Sequence, residues 1–203
     1  MAADHYFSED PTSDFNPKEI TVSIAGREVT LQTAGGVFSP ERIDTGTAVL
    51  LTHIAEAPPS GNLLDVGCGW GPIALSLAAH SPKATVWAVD VNQRALDLTA
   101  ANAKRLGLTN LKVSKPEDVP TDLQFQGIWS NPPIRVGKDE LHGLLLKWLP
   151  RLAAEGESYL VVQKNLGAGS LHRWLESELG KDIVVRRFDT AKQFRVLQVV
   201  RRG

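Results

Sequence analysis

In the run LLDVGCGWGPIAL a carboxylate, Asp65, precedes three glycines at alternate positions, Gly67, Gly69 and Gly71. Apolar residues ahead of the glycines and a helix-forming stretch behind them make this a strand-to-helix turn, where bare backbone can approach a ligand that a Cβ would obstruct. Cys68 fits between two of the glycines as a small space-filling residue. A second acid, Asp90, ends the run TVWAVD twenty-three residues after Gly67. A carboxylate at such a strand tip can accept hydrogen bonds from both hydroxyls of a ribose. The dinucleotide fingerprint would need a glycine at position 72, which is Pro72. A pyrophosphate would also sit badly beside Asp65, whereas a cationic amino-acid moiety would sit well, so the loop favours methyl transfer over hydride transfer.

A third group is Asn131-Pro132-Pro133-Ile134, directly after the apolar run GIWS. Alone it reads equally well as a plain turn, which Asn and Pro both favour. Placed after a fourth core strand, in a chain that already carries the cofactor loop, it reads as a catalytic loop. Of the other reactive types, the five histidines show no spacing for a metal site or a nucleophile–base pair, and no metal is expected. Trp70, between two loop glycines, is placed to cover the cofactor.

The elements that must hold these groups follow from periodicity. Ile20–Ala25 and Arg27–Thr33 alternate around Gly26 as a β-hairpin, and Thr45 to about Ala57 reads as a helix capped by Asp44. Strands are expected at Leu63–Val66, Thr85–Val89, Leu111–Ser114, Gly127–Ser130, Ser158–Gln163, Ile183–Arg187 and Phe194–Val200. Helices are expected at Pro72–His80, Arg94–Leu106, Glu140–Ala153 and Ser170–Leu179, with Gly107, Gly156 and Gly180 after the last three. This alternation specifies an α/β fold: a mostly parallel seven-stranded sheet with an antiparallel C-terminal strand, helices on both faces and the N-terminal hairpin appended. The chain is expected to form one domain, with residues 1–35 as lead-in and hairpin and 36–203 as the Rossmann-like core.

Composition narrows the setting. With 42% hydrophobic and 22% charged residues the chain is globular in type, and its longest apolar runs fall far short of a membrane span. The acidic N-terminal sequence lacks the pattern of a secretory signal, and a single cysteine excludes an internal disulfide. A cytoplasmic protein, monomeric or weakly dimeric, is expected. The net charge of −1 gives no global support for nucleic-acid binding, but residues 181–203 carry seven Lys or Arg against two Asp. That basic tail permits an RNA partner as readily as it makes a solvated edge.

With DVGCGWG followed by Asp90-Val91-Asn92 and NPPI, the chain resembles class I S-adenosylmethionine-dependent methyltransferases that act on planar amide or amino nitrogens. HYFS at 5–8, GVFSPERIDTGTAVLL at 36–51, NPPIRVGK at 131–138 and QKNLGAGSLHRWLE at 163–176 are similar to the bacterial small-subunit rRNA guanine-N2 methyltransferase family. The four segments occur in the family's order and span nearly the whole chain. The resemblance implies S-adenosylmethionine as cofactor, with Asp65, Gly67, Cys68 and Gly69 at its methionine end. Asp90 would hold the ribose, Val91 and Asn92 would flank the adenine, and Glu117 and Asp118 would contact the adenine amino group. Val37, Asp44 and Thr47 would come from the segment closing over the cofactor. Asn131, Pro132, Pro133 and Ile134 would form the catalytic loop, and Arg135 and Lys138 would touch RNA phosphates. Ile134 stands where many relatives carry an aromatic residue, and the additional N-terminal domain of larger members finds no room in this length.

The resemblance implies transfer of a methyl group to an exocyclic amine, guanine N2 of small-subunit rRNA foremost. Adenine N6, a protein glutamine amide, or a non-catalytic protein that binds cofactor or RNA stand as alternatives. Asn131 and the Pro132 carbonyl are natural acceptors for the amine hydrogens, and the prolines fix φ and remove competing donors.

Overall fold

Strands buried on both faces read as near-continuous apolar runs, and the run ending at Asp65 and Val66 is one of them. In the computed structural model, which describes residues 15–203, it forms β3 (Ser60–Val66) in the interior of the sheet. Before it come the hairpin β1 (Lys18–Ile24) and β2 (Arg27–Thr33), a separate two-stranded sheet, and helix α1 (Thr45–Leu51). After it follow α2 (Pro72–His80), β4 (Lys83–Val89), α3 (Gln93–Arg105), β5 (Leu111–Ser114) and β6 (Phe125–Ser130). Then come α4 (Lys138–Trp148), β7 (Leu152–Gln163), α5 (Ala168–Glu178), β8 (Ile183–Ala191) and β9 (Phe194–Arg201).

The seven strands lie in the order β5-β4-β3-β6-β7-β9-β8, and β9 runs antiparallel to both of its neighbours. The expected architecture is thus the observed one. The chain runs outward from β3 in one direction through β4 and β5, then returns to β6 on its other side. Ligands of open α/β sheets bind outside the strand ends at such a reversal. Here the residues just past those two ends are Gly67 and Asn131. Ser130 donates its hydroxyl to the Val66 carbonyl at 2.7 Å and locks the two ends together.

Alternation along β3 assigns the faces. Leu63 packs with α1 and α2, while Leu64 and Val66 pack with α4 and α5, giving one apolar cluster on each side. A third cluster lies between the hairpin and α3, and Asn102, fully buried on α3, fixes it. Its side chain accepts from Gln32 N and donates to the carbonyls of Gln32 and Trp70, so one amide ties the hairpin to the glycine loop. Helix α3 ends as expected at Gly107 (φ +68°), whose N–H reaches Lys104 O while Leu108 N reaches Ala103 O.

Two expected helices are shorter. The stretch from Thr45 stops at Leu51, and a single 3-10 turn at Ile54–Glu56 follows, because Thr52 bonds back to the Val49 carbonyl and His53 is drawn to Asp189 on β8 at 2.9 Å. The helix expected to reach Ala153 stops at Trp148. Pro150 has no N–H to continue it, and after one tight turn the chain enters β7 at Leu152. Gly156 therefore lies inside an irregular strand, where a Cβ would come within 2.9 Å of the carbonyl oxygens of Ala153 and Phe125. The segment HYFS lies outside the described residues, and no helix among those described is long and apolar enough to cross a membrane.

Candidate active site

A cavity of about 690 Å³ opens at the reversal point. Gly67 (φ +77°) and Gly69 (φ +56°) form part of its wall, and a Cβ on either would project into open space with nothing within 4 Å. Their conformation requires glycine, and the space beside them leaves backbone bare for a ligand. Gly71 serves the helix instead, starting α2 at φ +100°, where a Cβ would press on Thr99. The loop is held from below, since the N–H groups of Gly67 and Cys68 both donate to Val89 O at the end of β4.

Asp90, at that same strand end, lines the cavity and accepts from Gly69 N at 2.9 Å and Asn92 N at 3.0 Å. Burial pushes its carboxyl above the ordinary range, opposed by these backbone donors and that of Val91. Lone pairs remain on both oxygens for a ligand hydroxyl. Asp65 is placed differently from its expected contact. It shares Leu63's face of β3, is fully buried, and does not line the cavity; one oxygen accepts from Ala74 N in the first turn of α2 and the other has no partner. Burial first, and then the negative Asp90, raise its pKa from 3.8 to about 8. Asp65 thus holds the glycine loop's helix from behind the wall.

At the opposite side stands Asn131. Its amide nitrogen donates to Asp44 Oδ2 and to Thr47 Oγ1, both at 3.0 Å. A carboxylate accepts only, so this pairing fixes which end of the amide is which and leaves Oδ1 turned away from α1. Among the described residues nothing donates to Asn131 Oδ1 or to the Pro132 carbonyl. Asp44 is bound in turn by Gly46 N and Thr47 N as the cap of α1, so the first turn of that helix sets the orientation of Asn131.

The strap between β2 and α1 covers the cavity. Asn92 donates to Gly36 O while its oxygen caps α3, and Trp70 donates its indole N–H to Ser39 O at 3.0 Å. Trp70 is therefore not a cover over the cofactor; it is buried and fastens the strap that is.

Of the residues singled out in the sequence, Val37, Asp44, Gly67, Gly69, Asp90, Val91, Asn92, Asn131, Pro132, Pro133 and Ile134 meet around this one cavity. Thr47 stands behind Asn131. Cys68 is buried, its thiol pushed up chiefly by burial, against Thr99. Glu117 and Asp118 are exposed just beyond Pro116, which does line the cavity. Lys138 is exposed at the start of α4, and the Arg135 side chain lies outside the described residues. Sequence patterns gave no sign of Glu140, Leu144 and Trp148 from α4, or of Phe194 from β9, which complete the wall with Gln163 and Leu166.

The electrostatics discriminate between cofactors. Among the described lining residues the charged ones are Asp44, Asp90 and Glu140, with no Lys, Arg or His. A pyrophosphate would meet three carboxylates and no counter-charge, whereas a cationic sulfonium with an ammonium group suits them. The residues present fit a nucleoside bearing a cationic amino acid.

Known proteins resemble this chain in sequence and in fold. The family described as Methyltransferase small domain matches residues 28–198. The chain is 36% identical over 188 residues to the uncharacterized protein YbxB of Bacillus subtilis, covering 91% of this chain and 94% of that one. It is 34% identical over 158 residues to the ribosomal RNA small subunit methyltransferase C of Acinetobacter baumannii, covering 73% of this chain and 46% of that one. In fold it matches a T. thermophilus 16S rRNA N2 methyltransferase, solved with AdoMet and guanosine, at a TM-score of 0.77 and 23% identity, over 95% of this chain and 52% of that one. The chain thus spans nearly all of the Bacillus protein and about half the length of the two rRNA enzymes.

Proposed function

The chain belongs to the methyltransferase small domain family, and we propose that it transfers the methyl group of S-adenosylmethionine to the exocyclic amine of a nucleic-acid base, guanine N2 of small-subunit rRNA in a cytoplasmic setting. The observation that carries this reading is the hydrogen-bonded orientation of Asn131: pinned by Asp44 and Thr47, it leaves an amide oxygen beside a proline carbonyl to which none of the described residues donates. Two acceptors and no base are what an aromatic amine requires.

Bound S-adenosylmethionine supplies an electrophilic methyl group on a cationic sulfur. Asp90 would take the ribose hydroxyls, and the bare backbone at Gly67 and Gly69 would admit the methionine portion. The amine of guanine is a poor nucleophile because its lone pair is conjugated with the ring. Asn131 Oδ1 and Pro132 O, accepting both amine hydrogens, favour a nitrogen whose lone pair is aimed at the methyl group. The methyl group would pass from sulfur to nitrogen with the C–S electron pair staying on sulfur, and Asn131 Oδ1 and Pro132 O would face the positive charge that nitrogen gains until one amine proton leaves to water. Acceptors fixed in advance stabilise that charge without reorganisation, an effect worth about 10²–10³ in rate for one such group. The similarity to rRNA small subunit methyltransferases supports RNA as the polymer.

The test is incubation with methyl-labelled S-adenosylmethionine and small ribosomal subunits from a strain lacking the gene, followed by nucleoside identification. Label in N2-methylguanosine is expected. Label in N6-methyladenosine would keep the enzyme and replace the base, and an unlabelled subunit would overturn the acceptor.

A further inference from the structure

Next in sequence to residues that line the cavity, two guanidinium groups converge without a carboxylate partner among the described residues. Arg173 lies on α5 and Arg195 on β9, and their Nη1 atoms stand 3.9 and 3.8 Å from the point a Cβ on Gly169 would occupy. Apart from the neighbouring residues and the backbone of α5 itself, no other atom of the described residues lies within 4 Å of that point. Neither arginine forms an ion pair or a side-chain hydrogen bond among the described residues, and the first turn of α5 carries no acid. Arg195 Nε is buried with no partner among the described residues. Holding two like charges together and leaving a buried donor unmet both cost stability. Nor is the pair a by-product of a basic protein, since the net charge is −1.

We propose that Arg173 and Arg195 form a phosphodiester subsite for the acceptor strand. The proposal rests on the methyl-transfer reading above and names where the polymer is held. Planar guanidinium forks suit two oxygens of one phosphate, and phosphate contacts position a nucleic acid without reading its sequence. The location is apt: Arg195 directly follows Phe194, and Gln163 and Leu166 shortly precede Gly169, all three lining the cavity. Side chains alternate along β9, so Phe194 meets the cavity and Arg195 emerges on the α5 face. The carboxylates of Asp44, Asp90 and Glu140 inside would repel a phosphate, so the base enters while its backbone stays outside on the arginines.

The test compares the parent with Arg173→Gln/Arg195→Gln, with the corresponding double Lys variant, and with the single exposed-site variant Arg173→Gln, whose fold has least reason to change. Binding of a small-subunit rRNA transcript is titrated against salt, alongside methyl-transfer kinetics and S-adenosylmethionine affinity. In the double Gln variant the log–log salt slope should fall by about one. Its KM for RNA should rise about tenfold or more, with kcat and cofactor affinity little changed. Arg173→Gln should shift in the same direction, and the Lys pair should recover the slope. Unchanged slope and KM in both Gln variants would overturn the subsite, as would RNA binding by the parent that ignores salt. A parent that binds RNA but transfers no methyl would sink the methyl-transfer reading alone, because loss of slope in the Gln variants would still establish the subsite.

Discussion

The two ends of the cavity are built in opposite ways. At the glycine end, Gly67, Gly69, Asp90 and Asn92 are placed chiefly by backbone hydrogen bonds within one β-α-β unit, 26 residues from Gly67 to Asn92, with Thr99 on Gly69 O and Asn92 on Gly36 O reaching beyond it among the described residues. At the Asn131 end a single side chain is oriented by a helix 84 residues earlier in the chain, and its surroundings come from α4, β7 and β9. The first end is a binding device that needs a particular backbone; the second is an orienting device that needs a particular tertiary arrangement. Damage at the first should appear as affinity, and damage at the second as turnover.

The largest effect should come from Asn131→Ala. Single-turnover rates should fall about 10²–10³-fold with cofactor affinity nearly unchanged, because one preorganised acceptor is lost. Near-normal turnover on the true substrate would dissolve the distinction between the ends. Asp90→Ala should do the reverse, weakening S-adenosylmethionine binding in calorimetry by about 1–3 kcal/mol as buried donors lose their acceptor. Asp44→Asn sharpens the comparison further. Asn caps a helix as well as Asp does, so thermal stability should hold within about 0.5 kcal/mol. An amide, however, no longer dictates which way Asn131 turns, and kcat should drop by about three- to tenfold, roughly 1 kcal/mol.

Asp65 supplies a subtler test. Its pKa rises from 3.8 to about 8 on folding, so between those values the folded protein retains a proton that the unfolded chain releases. The cofactor-free protein should therefore lose stability as pH climbs through that window. Asp65→Asn should flatten that decline in melting curves from pH 5 to 8, leaving the slope due to Asp90, whose carboxyl burial also raises. A slope unaltered by the change would place the titrating group elsewhere. Trp70→Phe should have the smallest effect. It keeps the buried ring but frees Ser39 O, loosening the strap and weakening cofactor binding by about 0.5–1.5 kcal/mol.

The sequence determined the sheet, the hairpin, the glycine loop and both strand-tip acids, because each is written in periods of two or 3.6 and in residues whose conformational limits are local. It also singled out Asn131 and the prolines, since a polar residue followed by two rings after a buried strand is rare chemistry at a place the fold reserves for ligands. Helix ends were less legible where a tertiary partner decided them: His53 answers to Asp189, and Pro150 hands the chain to a strand paired with Phe125. Only the folded chain turned Asp65 inward to α2, made Trp70 a fastener, directed the Asn131 amide with Asp44 and Thr47, and set Arg173 beside Arg195. Those outcomes depend on side chains far apart in sequence meeting at fixed distances. A linear pattern can state which groups a chain possesses, but which atoms face each other is settled by packing.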